Sequence, residues 1–452
     1  MSLRLQIFSL LTPARTFVTS FAALILFGTM LLMFPSSSAR GLSLVDALFT
    51  ATSAVCVTGL SVLDLSKDLS TVGQIVTLFL FQIGGLGIIT FSTIIFALMG
   101  RGISFKGREI VQDTFLHTPR RHIFFVVKTI LIYTAAFELL GTACLFIAFS
   151  SDYPAGRALY LALYHAVSAY VNCGFSLFSD SLMGYQDNWL VNLTVISLLV
   201  IGGIGFVVQH EIYSKFQGSR TRWSIHTRLA LITTGILIVG GTALFYLCEY
   251  RGILHTMSPG RQFLVSLFQS VTPRTCGFNT VDYGLLSNET ILLTMILMFI
   301  GASPGSTAGG IKTTSAAVLF LMMWNRLRGN DRVNVFNRTI PEDLISRTIS
   351  IVFAAAFSVC VVASFLLLSH GAGAPSQSRH LFVEYVFETV SAFGTVGLSM
   401  GVTPKLKDPQ KIAIVLMMFA GRVGPLTLAY TWVRRRLGKR SLVYAEETLL
   451  VG

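Results

Sequence analysis

Four short segments of this chain share one order of residue types. Each contains three consecutive residues that end in glycine, called a glycine triplet, and the carbonyl oxygens of this triplet could bind a cation. An aromatic residue and a polar one come first, followed by a run with Ser or Thr and then the triplet. The segments are 49–61, 164–176, 268–279 and 387–399, and the third is one residue shorter. Glycine permits backbone angles that turn several carbonyls to one side, and rings of carbonyls can replace the water around a monovalent cation. Four copies predict four-fold pseudosymmetry about a common axis.

We expect the four triplets to form a selectivity filter lined by backbone carbonyls. Each would follow a half-helix that enters the bilayer and returns as extended chain, which is tolerated only where protein or a water-filled path surrounds it. The C-terminal ends of these half-helices would add a favourable partial negative charge. An ordinary helix–turn segment between spans is the alternative, and four copies in register disfavour it. The filter residues are Val57, Thr58, Gly59, Asn172, Cys173, Gly174, Thr275, Cys276, Gly277, Thr395, Val396 and Gly397.

The composition indicates that the elements around these triplets are membrane spans. The chain is 53% hydrophobic and 12% charged, whereas soluble domains are about 25% charged. Stretches of about 18 or more apolar residues can cross a bilayer, and they occur at 17–34, 72–98, 129–149, 189–208, 229–247, 291–324, 349–368 and 412–433. We therefore expect an all-α integral membrane protein with eight transmembrane helices. They would form four tandem span–pore-loop–span repeats around one pseudo-four-fold pore.

Basic linkers separate the expected repeats, which cover residues 1–100, 101–214, 215–325 and 326–452. If both termini are cytoplasmic, the cytoplasmic segments hold 22 of the 34 Lys and Arg residues and the external segments hold 10. This asymmetry follows the positive-inside rule, so the net charge of +13 requires no nucleic-acid partner. We expect a multi-pass protein of the cytoplasmic membrane with both termini inside. Its basic linkers could contact a cytosolic partner or anionic lipid of the bilayer, and both remain open.

The second span of each repeat carries another internal match, with glycine at positions 84, 202, 301 and 421. Small residues there allow helices to pack closely. Repeat 3 departs from the pattern, because residues 301–314 are a run of Gly, Ser, Thr and Pro within an apolar stretch. Such a run is a poor helix and a flexible intramembrane loop. We expect it to lie below the filter and to act as a gate across the ion path.

An arginine stands in the middle of the last span, where the first two repeats have Gly85 and Gly203. A charge at that depth is costly unless it faces a cavity or a partner, so we expect it to bind carbonyls or hydroxyls of the loop. The predicted gate residues are Gly301, Ser303, Pro304, Gly305, Ser306, Thr307, Gly309, Gly310, Lys312 and Arg422. Lys312 could contact the gate or extend to the cytoplasmic face. Glu138, inside the third span, could serve packing or function.

Motifs typical of enzymes lack their structural context in this chain. Residues 301–305 and 397–401 fit G-x-S-x-G without a strand–turn–helix around them. Residues 305–313 resemble a phosphate-binding loop, but Ile311 separates the glycine from the lysine. The histidines and cysteines show no spacing typical of metal ligands. We therefore expect a protein that is not an enzyme and that carries no cofactor.

The four repeats, the filter glycines, the small-residue break and Arg422 together resemble the Trk/Ktr/HKT superfamily of potassium transporters over nearly the whole chain. With no additional pair of N-terminal spans, the chain is most similar to the membrane subunit of Ktr systems. The resemblance implies uptake of K⁺, often dependent on Na⁺, by a homodimer with one pore per protomer. It also implies a cytosolic ring of nucleotide-binding regulatory subunits on the basic inner face. Gly59 implies K⁺ transport, since serine at that position accompanies sodium selectivity in the family.

An alternating-access secondary carrier is the competing interpretation. Broken helices suit such carriers, but carriers usually contain inverted repeats, whereas every repeat here has two spans and returns to the basic side. A membrane-embedded enzyme would need a convergent set of catalytic groups, which the sequence does not offer. A cation-conducting transporter subunit, with a filter in series with a loop gate, is the leading hypothesis.

Overall fold

The structure, a computed structural model, describes residues 13–38, 41–98, 123–218, 222–371, 375–425 and 427–428. These residues are mostly helical. Three basic segments lie outside the described residues: the N-terminal tail, the C-terminal tail and most of the linker 101–128. All three are expected in the cytoplasm.

The helices follow one order four times: a long first helix, a helix of 12 to 20 residues that ends before the triplet and is called the short helix, an extended segment, and a last helix called the second long helix, which is divided into two helices in repeats 2 and 3. The first set is α1 (Pro13–Met33), α2 (Leu44–Val55) and α3 (Thr71–Leu98), and the second is α4 (Ile123–Phe149), α5 (Ala155–Tyr170), α6 (Trp189–Gly203) and α7 (Phe206–Phe216). The third is α8 (Ile225–Glu249), α9 (Pro259–Val271), α10 (Asn288–Phe299) and α11 (Thr313–Leu327), and the fourth is α12 (Glu342–His370), α13 (Pro375–Gly394) and α14 (Asp408–Val423).

Short elements complete the fold and qualify the expectation of an all-α chain. Between α11 and α12, strands β1 (Asn334–Val335) and β2 (Arg338–Thr339) pair antiparallel. Single 3₁₀ turns lie between the extended segments and the following long helices in repeats 2 to 4, at Met183–Tyr185, Tyr283–Leu285 and Thr403–Lys405. Serine N-caps start several helices, as where Ser224 accepts a hydrogen bond from the Thr227 amide of α8 at 3.1 Å.

Large apolar side chains are exposed on the long helices, and hydroxyl side chains of the short helices are buried beside an apolar core. Large apolar side chains point outward from the long helices, as Phe353 and Leu368 of α12 do at 74% and 83% exposure. Hydroxyl residues of α2, such as Thr50, Thr52 and Ser53, are fully buried. Continuous exposed apolar surface suits contact with lipid. Within the described residues, the helices Lys128–Phe149, Ile225–Glu249 and Glu342–His370 are long and apolar enough to span a membrane.

In repeats 2 and 3 the second long helix is divided into two helices. The break expected in repeat 3 is present, with α10 ending at Phe299 and α11 starting at Thr313. The stretch 189–208 was expected to be one continuous span, but it bends by 101° between α6 and α7. At the bend Gly205 has φ +92°, and the Phe206 amide donates to the carbonyl of Gly305 at 3.0 Å instead of continuing helix α6. The loop of repeat 3 therefore accepts the hydrogen bond that the helix of repeat 2 gives up at this bend.

Candidate functional site

Each of the four glycine-containing triplets, the predicted filter, has left-handed backbone at its first and third positions. The φ values are 56° at Val57, 62° at Asn172, 76° at Thr275 and 50° at Thr395, and 86°, 78°, 81° and 91° at Gly59, Gly174, Gly277 and Gly397. A left-handed conformation costs a residue other than glycine about 1–2 kcal/mol, so its recurrence at four equivalent positions is imposed by the surrounding fold. Alternation of left-handed and ordinary residues lets successive carbonyls point to the same side, unlike the alternating carbonyls of a β-strand.

The four triplets contact one another in a closed ring. A Cβ atom added to Gly59 would overlap the carbonyl oxygen of Cys173. The same relation joins three further pairs, Gly174 with Cys276, Gly277 with Val396 and Gly397 with Thr58. Each repeat thus contacts the next, and the fourth contacts the first, as four chains around one axis must. Positive φ and the lack of space both disfavour side chains at these glycines.

A hydrogen bond from the middle residue of each triplet fixes the triplet to its short helix. The amides of Thr58, Cys173 and Val396 donate to the carbonyls five residues earlier, at 2.8, 2.8 and 2.9 Å. In the third copy the Cys276 amide donates to Thr272, four residues earlier, at 3.0 Å. The one-residue deletion in this segment is therefore absorbed in the turn between helix and triplet, and the triplet geometry is preserved.

In repeats 2 to 4 the polar residue that follows the aromatic one ties the short helix to the chain beyond the triplet, whereas Thr50, its counterpart in repeat 1, makes no such hydrogen bond. His165 Nε2 lies 3.0 Å from Ser176 Oγ, and Gln269 Nε2 donates to Thr280 Oγ1 at 3.1 Å. Glu388 accepts hydrogen bonds from the hydroxyls of Ser399 and Thr403. The recurring polar residue is visible in the sequence repeat, where no role was predicted for it, and it is the sequence signal for this contact.

Glycines of the second long helices pack against the ends of the short helices. A Cβ on Gly84 would overlap the carbonyl oxygen of Val55. A Cβ on Gly202 would overlap that of Tyr170, and a Cβ on Gly421 would overlap that of Phe393. In repeat 3 the matching Gly301 lies instead against the carbonyl of Gly309 within the loop. These contacts explain the small residues that recur in the sequence.

Substitution of Gly84 by alanine is expected to lower thermal stability because the new methyl group meets backbone that cannot move aside. Overpacking of this kind costs about 1–3 kcal/mol. Gly240, inside α8, has nothing within 4 Å of an added Cβ, so Gly240→Ala is the matched control and is expected to gain about 0.5–1 kcal/mol from helix propensity. Thermal unfolding of the two purified variants measures the difference. Equal unfolding midpoints would contradict this packing.

The segment from Gly301 to Lys312 lies directly against the filter. Thr307 is fully buried, and its hydroxyl lies 3.0 Å from Asn172 Oδ1 and 3.3 Å from the carbonyl of Gly202. A Cβ on Gly309 would overlap the side chain of Thr395. The loop thus contacts filter residues of repeats 2 and 4.

Other loop residues fix its path. The Ser303 amide donates to the carbonyl of Gly203 at 3.0 Å, and the Ser303 hydroxyl lies 2.9 Å from Thr313 Oγ1. The Ser306 hydroxyl donates to the Ser303 carbonyl at 2.6 Å. The carbonyl of Pro304 faces Gly205 at the bend of repeat 2, and Gly310 lies against Gly394, the last residue of α13. The predicted gate residues are therefore gathered in one segment with defined contacts.

Arg422 joins the loop to the surrounding helices. Its guanidinium donates to the carbonyl of Thr307 in the loop and to the carbonyl of Gly84 in α3, and the residue is 6% exposed. Hydrogen bonds from a charged group are stronger than neutral ones. Lys312 donates to the carbonyl of Ala308 at 2.7 Å, so its ammonium group lies within the loop and not at the cytoplasmic face.

A carboxylate lies beyond the first triplet, in the segment between α2 and α3. Burial alone would raise the pKa of Asp64, but hydrogen bonds from Ser179 and Ser66 and the nearby Lys67 outweigh it and lower the pKa to about 2. The Ser66 hydroxyl lies 3.1 Å from that of Ser179, which follows the second triplet. Asp64 is therefore ionised at physiological pH and forms an ion pair with Lys67, with Oδ2 and Nζ 3.1 Å apart.

Comparisons with known proteins place the chain among cation transporters. The family profile TrkH, described as cation transport protein, matches residues 7–435. The chain is 36% identical over 447 residues to the potassium/sodium uptake protein NtpJ of Enterococcus hirae, covering 98% of each chain. It is 38% identical over 430 residues to the Ktr system potassium uptake protein B of Bacillus subtilis, covering 94% of this chain and 93% of that one. The crystal structure of the potassium transporter TrkH from Vibrio parahaemolyticus has the same fold, with a TM-score of 0.75 at 20% identity over 94% of this chain and 86% of that one.

Proposed function

This chain belongs to the TrkH family of cation transport proteins, and on that basis we propose that it takes up potassium ions across the cytoplasmic membrane. Both B. subtilis and E. hirae relatives are named for potassium uptake. Like its relatives, the protein is a transporter and not an enzyme.

The observation that carries the proposal is the closed ring of triplets. The carbonyls of Thr58, Cys173, Cys276 and Val396 each face the glycine of a neighbouring repeat, so four oxygens surround one axis. A ring of carbonyls can replace the hydration shell of K⁺. The four short helices end beside this ring, and the negative ends of their dipoles favour a cation there. We assign the selectivity filter to the four triplets within four span–pore-loop–span repeats.

The loop from Gly301 to Lys312 is proposed as the gate in series with this filter. It crosses from α10 to α11 against Asn172 and Thr395, and Arg422 holds it through the carbonyl of Thr307. An ion leaving the filter would meet this segment next. Movement of the loop would open the path, and the bonds of Arg422 favour the closed arrangement.

The proposal extends to orientation and assembly. Both termini lie in the cytoplasm, and a cytosolic nucleotide-binding subunit docks on the inner basic face of a homodimer. The side chains of Arg328, Arg332 and Arg338, between α11 and α12, are exposed and offer positive charge to such a partner. The B. subtilis relative is named as part of a Ktr system. Uptake is proposed to depend on Na⁺.

Uptake of ⁸⁶Rb⁺, a K⁺ analogue, into liposomes containing the full-length chain tests the proposal. Excess K⁺ outside is expected to suppress the uptake, and the same concentration of choline is not. Liposomes without protein provide the background. Uptake no greater than this background, from protein shown to be folded, would overturn the proposed function.

A further inference from the structure

A cavity of about 600 Å³ lies where α11 and α12 meet the β1–β2 hairpin. Its apolar lining includes Met322, Val333, Ile340 and Ile345. The buried side chains of Val333 and Ile340 form a small separate core with Val318 of α11, and the Ile340 amide donates to the carbonyl of Val333 at 2.9 Å. Packed elements therefore shape the cavity, and its volume is in the range of sites that bind small molecules.

The lining of this cavity also carries two positive and two negative side chains, those of Arg326, Arg332, Asp331 and Glu342. Arg326 Nη1 and Asp331 Oδ1 are 3.2 Å apart and balance each other. Among the described residues Arg332 and Glu342 have no ion-pair partner, and they are too far apart to pair with each other. A molecule with an anionic group and a cationic group close together would match these two side chains.

The cavity lies at the end of a helix that is long and apolar enough to span a membrane. That helix is α12, whose apolar stretch begins at Ile349, and Ile349 lines the cavity. On the neighbouring helix α11, the side chain of Trp324 is exposed near the C-terminal end. Tryptophan is enriched where a membrane meets water. The cavity is therefore at the level of the lipid headgroups.

An apolar strip continues from the cavity along α12. Phe353 and Phe357 follow Ile349 at intervals of four residues, so the three side chains share one face of the helix. Phe353 and Phe357 are 74% and 71% exposed. Such a strip suits an acyl chain that runs toward the middle of the bilayer.

We propose that the cavity binds the headgroup of one phosphatidylethanolamine molecule, with an acyl chain along Phe353 and Phe357. The phosphate accepts hydrogen bonds from Arg332 and from the hydroxyl of Ser346, which lines the same cavity. The ammonium group donates to Glu342. The lipid belongs to the inner leaflet, an assignment that rests on the orientation proposed above.

The two unpaired charges select this lipid among the common phospholipids. Phosphatidylglycerol carries a phosphate and no cation, so it would leave Glu342 unpaired beside a second negative charge. Phosphatidylcholine carries a quaternary ammonium group, which cannot donate a hydrogen bond to a carboxylate. Arg328 and Arg338 do not line the cavity and stay available to a cytosolic partner.

Thermal unfolding of the purified full-length protein in detergent tests the site without measuring transport. Phosphatidylethanolamine, phosphatidylcholine and phosphatidylglycerol with the same acyl chains are titrated separately. Phosphatidylethanolamine is expected to stabilise the wild type with a saturable dependence. Its apparent affinity is expected to exceed that of the other two by about tenfold, the effect of one hydrogen bond between charged groups. Glycerophosphoethanolamine, the same headgroup without acyl chains, is expected to give no stabilisation at the concentration where the lipid saturates.

Two pairs of variants locate the site. Arg332→Gln is expected to weaken the apparent affinity for phosphatidylethanolamine about tenfold, whereas Arg338→Gln is the matched control, since Arg338 is exposed on β2 and does not line the cavity. Glu342→Gln is expected to bind phosphatidylethanolamine and phosphatidylcholine alike. Asp343→Asn changes the next residue, which does not line the cavity, and is expected to keep the preference of the wild type.

Three results would overturn the proposal. Equal stabilisation of the wild type by the three phospholipids would indicate general contact with lipid. Equal affinities of Arg332→Gln and Arg338→Gln for phosphatidylethanolamine would place its binding elsewhere. Stabilisation by glycerophosphoethanolamine as strong as that by the lipid would assign the cavity to a soluble ligand. The absence of ⁸⁶Rb⁺ uptake would refute the proposed function and leave this site standing, because lipid binding is measured without transport.

Discussion

Replacement of Gly59 by serine is expected to lower K⁺ uptake about tenfold or more and to let Na⁺ compete for the path. Gly59 has φ +86°, and a Cβ there would overlap the carbonyl oxygen of Cys173. A side chain at this φ costs about 1–2 kcal/mol, and relief of the overlap must displace a carbonyl of the ring. Each 1.4 kcal/mol lost from the binding of K⁺ corresponds to about a tenfold change. Competition of Na⁺ and K⁺ for ⁸⁶Rb⁺ uptake in liposomes measures both effects.

Gly401→Ser is the matched control for this substitution. Gly401 has nearly the same backbone angle, φ +83°, but nothing lies within 4 Å of an added Cβ. The Gly401→Ser variant therefore has the same backbone strain at positive φ, but its side chain does not contact the carbonyl ring. Equal uptake and equal ion competition in the two serine variants, at equal amounts of folded protein, would show that Gly59 does not shape the ion path.

Deletion of Ser303–Gly310 is expected to raise K⁺ uptake about tenfold, because it removes the segment that lies against the filter. The loop is held by the guanidinium of Arg422 on Thr307, and a hydrogen bond to a charged group contributes about 1.5–3 kcal/mol. If this contact favours the closed arrangement, its loss shifts the balance toward the open one by about tenfold or more. Initial rates of ⁸⁶Rb⁺ uptake provide the measurement.

Arg422→Gln tests the same contact without shortening the chain and is expected to raise uptake in the same direction. Arg328→Gln is the control, since Arg328 lies after α11 with its guanidinium over the Trp324 ring, 4.7 Å from the centroid, and away from the loop. Unchanged or lower uptake in both the deletion and Arg422→Gln, with folded protein confirmed, would argue against a gate.

The sequence was informative where residue types break a strong local pattern. The glycines of the four triplets predicted left-handed backbone, because few residues other than glycine tolerate that conformation. The run from Gly301 to Thr314 predicted a helix break because it lacks helix formers. Arg422 signalled a buried partner because an unpaired charge at that depth is costly. The structure places a loop carbonyl at that partner position.

The bend in repeat 2 could not be predicted from local sequence. Residues 201–205 read I-G-G-I-G and residues 83–87 read I-G-G-L-G, yet only the first is broken. The bend in repeat 2 is accompanied by a tertiary contact, the hydrogen bond from the Phe206 amide to the carbonyl of Gly305. Arg274 is only 7% exposed beside the third triplet.

The central claim is that four carbonyls of one chain form a K⁺ site, and anomalous scattering from crystals of the full-length protein soaked in Tl⁺, a heavy analogue of K⁺, tests it most directly. The account predicts a peak on the axis enclosed by the carbonyls of Thr58, Cys173, Cys276 and Val396, weakened when K⁺ is added in excess. A Tl⁺ peak elsewhere in the protein with none inside this ring would contradict it.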